Sequence, residues 1–261
     1  MAPTTVDGLD IDDATIDGTE VSEITVDGNV VFKAGSDIPD SAIAQYDAQA
    51  LIGFNDGDSI TTWEDNLNNN DITGETPVYR DSAINGNPAV EFDGNDDYLE
   101  TALPSSISQP TTVITVGQIP DHDAPNEDGA FTYFDNHRSS NNFHLVRPQD
   151  TESNSNEFRY RNNAGETFET DNGTATTNPE VLVNIFDGNN SEIRRNGSDL
   201  SVTGESGTND LEGIQLGSRQ DERDFFDGYI AEVITYDDRL TSSEIEEEEQ
   251  RLSDKWGISL D

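Results

Sequence analysis

Cysteine is absent from the 261 residues, and lysine nearly so: Lys33 and Lys255 are the two examples. The first absence excludes disulfides and thiolate metal sites. The second leaves 13 basic against 55 acidic side chains, a formal net charge of -42. A nucleic-acid partner is therefore not expected, because no basic patch is present to neutralise phosphates. No apolar run approaches the roughly 18 residues of a membrane span, so membrane insertion is not expected either. The opening MAPTTVDG lacks the charged and apolar pattern of a signal peptide, so a protein made and assembled in the cytoplasm is expected.

Leu, Ile, Val and Phe are also scarce, standing just above the roughly 20% typical of disordered chains. Their arrangement nevertheless argues for a fold. They cluster in short runs such as TVITV (112–116), VLVNIF (181–186) and YIAEVI (229–234), with Asn, Asp, Gly and Ser between them. A folded domain this acidic needs its charge screened, and multimolar salt shortens the Debye length to about 3 Å at 1 M. The composition reads as that of an extreme halophile.

Three turn signals, Val6-Asp7-Gly8, Ile16-Asp17-Gly18 and Val26-Asp27-Gly28, recur every ten residues at the start. Asp-Gly between β-formers favours a type I′ hairpin turn, in which both central residues need φ > 0. Residues 1–35 are expected to form a β-meander too small to be stable alone. Its apolar residues Ile16, Val21, Ile24, Val26, Val30 and Phe32 are the expected docking surface, for another chain of an assembly or for a second copy, a trimer included. Residues 36–40 read as a linker and 41–261 as the main domain. Strands are expected near 88–93, 97–101, 111–118, 130–134, 142–147, 156–161, 166–169, 180–187, 191–195, 212–217 and 227–236, making an all-β antiparallel sandwich. One helix is expected near the end: Thr241 and Glu244 form a capping box, Ile245, Leu252 and Trp256 share a face, and Gly257 closes it. Glu246 to Glu249 read as its solvated side.

Two stretches carry a family resemblance. Residues 85–99, NGNPAVEFDGNDDYL, and residues 226–241, FDGYIAEVITYDDRLT, followed by RLSDKWGI at 251–258, resemble the early and closing segments of LamG-like, concanavalin A-like domains. Trp63-Glu64-Asp65 and its Asn run are similar to a further segment of that family, without its glycine. The resemblance spans about residues 41–260 and implies a jelly-roll sandwich of two antiparallel sheets. Separately, ATIDGTEV (14–21) and EITVDGNVVF (23–32) are similar to N-terminal segments of structural proteins in tailed viruses of haloarchaea.

Candidate chemistry is sparse. The concanavalin A-like group includes β-glucanases with a Glu-x-Asp-x-(x)-Glu strand, but Glu91-Phe92-Asp93 is followed by Gly94-Asn95 and no second Glu arrives. Neither a nucleophile elbow nor a phosphate loop is present. The three histidines, His122, His137 and His144, lack zinc spacing. Asp93, Asp96 and Asp97 crowd hard oxygens into one turn, which suits calcium, the ion that the resemblance also implies. Trp63 and the trio Asn136, His137 and Arg138 combine aromatic and polar groups suited to a glycan ligand. The expectation at this level is a non-enzymatic structural protein of a halophilic virion, bearing a LamG-like domain for particle stabilisation or for attachment to a host-surface glycan or protein. A carbohydrate-binding or adhesion module of a haloarchaeal cell is the alternative, and a glycoside hydrolase the third reading.

Overall fold

A computed structural model describes residues 15–16, 19–20, 23–26, 29–33, 38–120, 132–137, 145–150, 158–171, 176–200 and 204–261. The chain divides into two compact units, Met1–Pro39 and Asp40–Asp261. The first holds two antiparallel hairpins. Strand β1 (Thr15–Ile16) pairs with β2 (Thr19–Glu20), and β3 (Glu23–Val26) with β4 (Asn29–Lys33). Ile16 lies opposite Thr19, Ile24 opposite Phe32, and Val30 opposite Thr25, while Val26 closes the second hairpin against Asn29. Val21 lies outside the described residues.

The second unit is a sandwich. Its strands in chain order are β5 (Ala42–Asp47), β6 (Thr62–Trp63), β7 (Ile72–Glu75), β8 (Val78–Ile84), β9 (Asn87–Asp93), β10 (Tyr98–Ile107) and β11 (Thr111–Gln118), then β12 (Phe134–Asp135), β13 (Leu145–Asp150), β14 (Phe158–Asn163) and β15 (Thr167–Glu169). They continue with β16 (Glu180–Phe186), β17 (Glu192–Arg195), β18 (Ser198–Asp199), β19 (Leu211–Leu216) and β20 (Asp227–Tyr236), and the helix α1 (Ser242–Trp256) follows. One sheet runs β15-β14-β13-β12-β19-β10-β7-β6, and the other β18-β17-β16-β11-β20-β9-β8 with β5 also paired to β20. All the pairings are antiparallel. The chain is thus all-β with one C-terminal helix.

The core lies between the sheets. Leu99, Ile214, Leu216 and Phe134 face it from the first sheet, and all seven residues of β16 are buried. Strands covered on both faces read as continuous apolar runs, which is why VLVNIF was legible as a strand. A polar group crosses this core: buried Glu180 accepts hydrogen bonds from the hydroxyls of Tyr133 (3.2 Å) and Tyr160. Burial pushes its carboxyl up to about 7, against the opposing pull of those donors and Arg195.

Helix α1 covers the other face of the second sheet. Thr241 and Glu244 form the reciprocal capping box, and Gly257 ends the helix at φ 65° with its N–H on the Ser253 carbonyl. Ile245, Leu252 and Trp256 are buried. The Glu run departs from expectation. Glu246 and Glu247 are exposed, but Glu248 and Glu249 are buried, because they share the 3.6-residue stripe of Ile245 and Leu252. Glu248 accepts from the Tyr236 hydroxyl at 2.8 Å and pairs with Arg251, and Glu249 pairs with Arg194 and accepts the Gly197 N–H. Beside them Glu232, also buried, accepts from Trp256 Nε1 (2.8 Å), Gln45 Nε2 (2.6 Å) and Lys255 Nζ (2.7 Å), while Lys255 also reaches Asp47 at 2.6 Å. Helix and sheet are therefore joined by charge as well as by apolar packing.

Candidate functional site

Strands β7 and β10 set Glu75 opposite Tyr98 and Thr73 opposite Glu100. Side chains alternate along a strand, so these four share one face while Ile72 and Leu99, wholly buried, share the core face. Close backbone approach is required here: a Cβ on Gly74 would overlap the Tyr98 carbonyl. Next along the sheet, Gly213 of β19 lies under His137, and a Cβ there would overlap the imidazole and the Thr101 carbonyl. The result is a groove of about 650 Å³ with Thr73, Glu75, Tyr98, Glu100 and His137 among its walls. Carboxylates accept hydrogen bonds from hydroxyl groups and an imidazole can accept or donate them, while Tyr98, 7% exposed, is a buried part of the wall.

A second cleft, of about 420 Å³, adjoins it and has Asp47, Ile52, Phe54, Trp63 and Glu64 among its walls. Its shape is held by Asp65, whose Oδ1 accepts the N–H groups of Gln45 (2.9 Å) and Leu67 (3.0 Å) and whose Oδ2 accepts those of Asn68 and Asn70 (both 3.2 Å). An aspartate that organises a loop in this way is ordinary turn chemistry. It explains the Asn run after Trp63.

The expected ligand residues fall in different places. His137 reaches the groove. Asn136 does not present itself to a ligand: it is fully buried, its Nδ2 donates to the Asp210 carbonyl, and its Oδ1 accepts the N–H groups of Glu212 (2.7 Å) and Gly213 (2.8 Å). That amide fixes the backbone on which His137 rests, and this corrects its expected role. Trp63 is 1% exposed and packs edge-on to Tyr46, so it serves as a wall and not as an open platform. Arg138, His122 and His144 lie outside the described residues. The groove residues Thr73, Glu75 and Glu100 carry no motif. Their one sequence signal, alternation in Thr-x-Glu and Tyr-x-Glu, is hidden by Gly74 and by the flanking Asn-rich loop.

Asp93, Asp96 and Asp97 bring one carboxylate oxygen each to within 4.8 Å of the others. The turn is built by Gly94 at φ 75° and by the Asn95 N–H on Asp93 Oδ1. Asp97 is buried, accepts the Asp93 N–H at 3.0 Å, and is pushed up to about 6 by burial and then by the neighbouring Asp93 charge. Hard oxygens so spaced fit a calcium ion in charge and donor type. Across the sheet Glu91 is engaged by Arg80 at 2.6 Å.

Neither family models nor curated proteins match the sequence. Solved structures do. A sialidase from Trypanosoma rangeli, in complex with the inhibitor DANA, matches over 92% of this chain and 36% of its own length, at 13% identity and a TM-score of 0.55. Domain 4 of AbnA, a GH43 extracellular arabinanase from Geobacillus stearothermophilus in complex with arabinotriose, matches over 78% of this chain and 96% of that domain, at 18% identity and a TM-score of 0.52. A mutant GH54 α-L-arabinofuranosidase soaked with 4-nitrophenyl α-L-arabinofuranoside matches over 74% of this chain and 50% of its own, at 11% identity and a TM-score of 0.59. This chain thus spans about a third of the sialidase and half of the arabinofuranosidase.

These matches overturn the expectation that the chain is not an enzyme, since each comes from a glycoside hydrolase. They support the sandwich part of the expected resemblance and give no support to its LamG, virion, haloarchaeal or host-attachment parts. At these identities what is shared is architecture: the chain has the antiparallel β-sandwich fold that recurs in glycoside hydrolases.

Proposed function

We propose that the protein binds carbohydrate in the groove on the outer face of β7 and β10. The observation that carries this reading is the row Thr73, Glu75, Tyr98 and Glu100 with His137 at its end, in a fold that also occurs in an arabinanase domain solved with a sugar bound. Paired carboxylate oxygens accept hydroxyl hydrogens, and the His137 imidazole can accept or donate one. Calorimetric titration of the full chain with a panel of oligosaccharides in multimolar KCl tests it. Glu100→Gln is expected to weaken binding by roughly tenfold, because a hydrogen bond to a charged acceptor contributes about 1.5–3 kcal/mol. Wild-type affinity for no sugar in the panel would refute it.

The same pair of carboxylates favours a second reading, glycoside hydrolysis. Glu75 and Glu100 stand on one face of adjacent strands, and two acids flanking a glycosidic bond supply the acid and the base or nucleophile. Reducing-sugar release abolished by both Glu75→Gln and Glu100→Gln would establish it. The earlier candidates Glu91 and Asp93 are poorer, since Glu91 is held by Arg80. For the Asp93–Asp97 turn we propose a calcium ion that stiffens the rim of the sandwich.

A further inference from the structure

We infer that the ligand is an uncharged oligosaccharide that spans both clefts, with one unit in the polar groove and another laid on Phe54. This rests on the carbohydrate reading of the groove and extends it to ligand length and charge.

Three observations carry the inference. First, Thr61, an exposed residue, lines both spaces, so the groove and the apolar cleft meet at one small side chain. Each is within the range of about 300–1,000 Å³ that ligand sites occupy, and together they exceed the need of one sugar ring. Second, the cleft gathers two of the three large apolar side chains that are exposed among the described residues, Leu67 being the third. In a protein of net charge -42 and mean hydropathy -0.72, Ile52 is 90% exposed and Phe54 37% exposed, and both line this one cleft. Phe54 is braced by Tyr79, ring to ring at 6.0 Å, and so offers a fixed surface. Apolar side chains gathered beside a polar groove mark a contact site, and a sugar brings the matching chemistry, an apolar ring face with hydroxyls around it. Third, the charged walls have one sign. Glu75 and Glu100 line the groove and Glu64 the cleft, whose other carboxylate, Asp47, is paired with Lys255, while no lysine or arginine lines either space among the described residues. A uronate or sialic acid carboxylate would enter against these charges. Salt screens beyond about 3 Å at 1 M and leaves contact repulsion in place.

Calorimetric titration of the full chain in multimolar KCl, with arabinose, arabinotriose, glucose, cellotriose, trigalacturonate and 3′-sialyllactose, tests this. A neutral triose is expected to bind at least about tenfold more tightly than its monomer, and both acidic sugars more weakly than the neutral trioses. Phe54→Ala should remove the triose advantage. Ile52→Ser should reduce it, and at 90% exposure this change leaves the fold intact; thermal unfolding of both variants verifies that. Equal affinity for monomer and triose, an undiminished triose advantage in both variants, or preference for an acidic sugar would overturn the inference while leaving the groove as a carbohydrate site. Binding of none of the six, extended to a full neutral and acidic glycan array, would remove the carbohydrate reading and this inference with it.

Discussion

Replacing Lys255 with methionine tests how the helix is held to the sheet. The ammonium lies 2.6 Å from Asp47 and 2.7 Å from Glu232, and Glu232 is buried with Gln45 and Trp256 as its other donors. Methionine keeps most of the apolar stem and deletes the charge, leaving two carboxylates that shared one cation. Removing one partner of a buried pair costs about 3–5 kcal/mol. Lys255 is partly solvated and Arg251 stays 3.6 Å from Glu232, so about 2–3 kcal/mol is the reasoned loss here. For a domain of this size that lowers Tm by roughly 5–10 °C. Thermal unfolding followed by circular dichroism in multimolar KCl at pH 7 measures it. The loss should shrink on acidification: burial and then Glu232 raise the Asp47 carboxyl, and a raised acid contributes most below its unfolded value and loses that contribution as pH climbs. Lys255→Met with Glu232→Gln should recover part of the loss, since the second change removes the unpaired charge. A Tm within about 1 °C of wild type for the single variant, corresponding to well under 1 kcal/mol, would refute the reasoning. So would a double variant that is less stable than the single one.

Glu180 predicts a second pH dependence. Its carboxyl rises from 4.5 to about 7 in the fold, so stability should fall as pH rises through that window, by up to about 1.4 kcal/mol per pH unit; urea midpoints should show a flatter profile for Glu180→Gln. Gly213→Ala should displace His137 and weaken sugar binding by several-fold or more, read by titration, because the new methyl overlaps the imidazole. Calcium should raise Tm and Asp97→Asn should abolish that rise; an unchanged response in the variant would exclude the Asp93–Asp97 turn as the site. If the N-terminal hairpins dock copies of the chain, full-length protein should be larger in solution than a chain that starts at Ser36, and equal monomeric masses would refute self-assembly through them.

Much of the sandwich was legible because its central strands are buried on both faces. TVITV, VLVNIF and YIAEVI are dominated by β-branched and other apolar residues, with Thr112, Thr115, Asn184 and Glu232 as their polar members, and they became β11, β16 and β20. The helix was legible for a local reason: its cap residues hydrogen-bond to their own backbone, so Thr241, Glu244 and Gly257 state its ends without reference to the rest of the fold. Strands β5, β6, β7, β8 and β18 were missed. Each mixes polar or small residues into a short run, as in Ile72-Thr73-Gly74-Glu75, and gains its identity from a neighbour across the sheet.

The candidate site belongs to that second kind. Composition and turn chemistry on their own account for an acidic, cysteine-free, β-rich chain with a capped helix, because those properties depend on each residue's charge, size and nearest neighbours. The placement of Glu75 beside Glu100, of His137 on Gly213, and of Phe54 and Ile52 beside that groove was decided by tertiary structure. Strand register and sheet order alone bring together residues that are tens of positions apart in the chain, and no local preference encodes either.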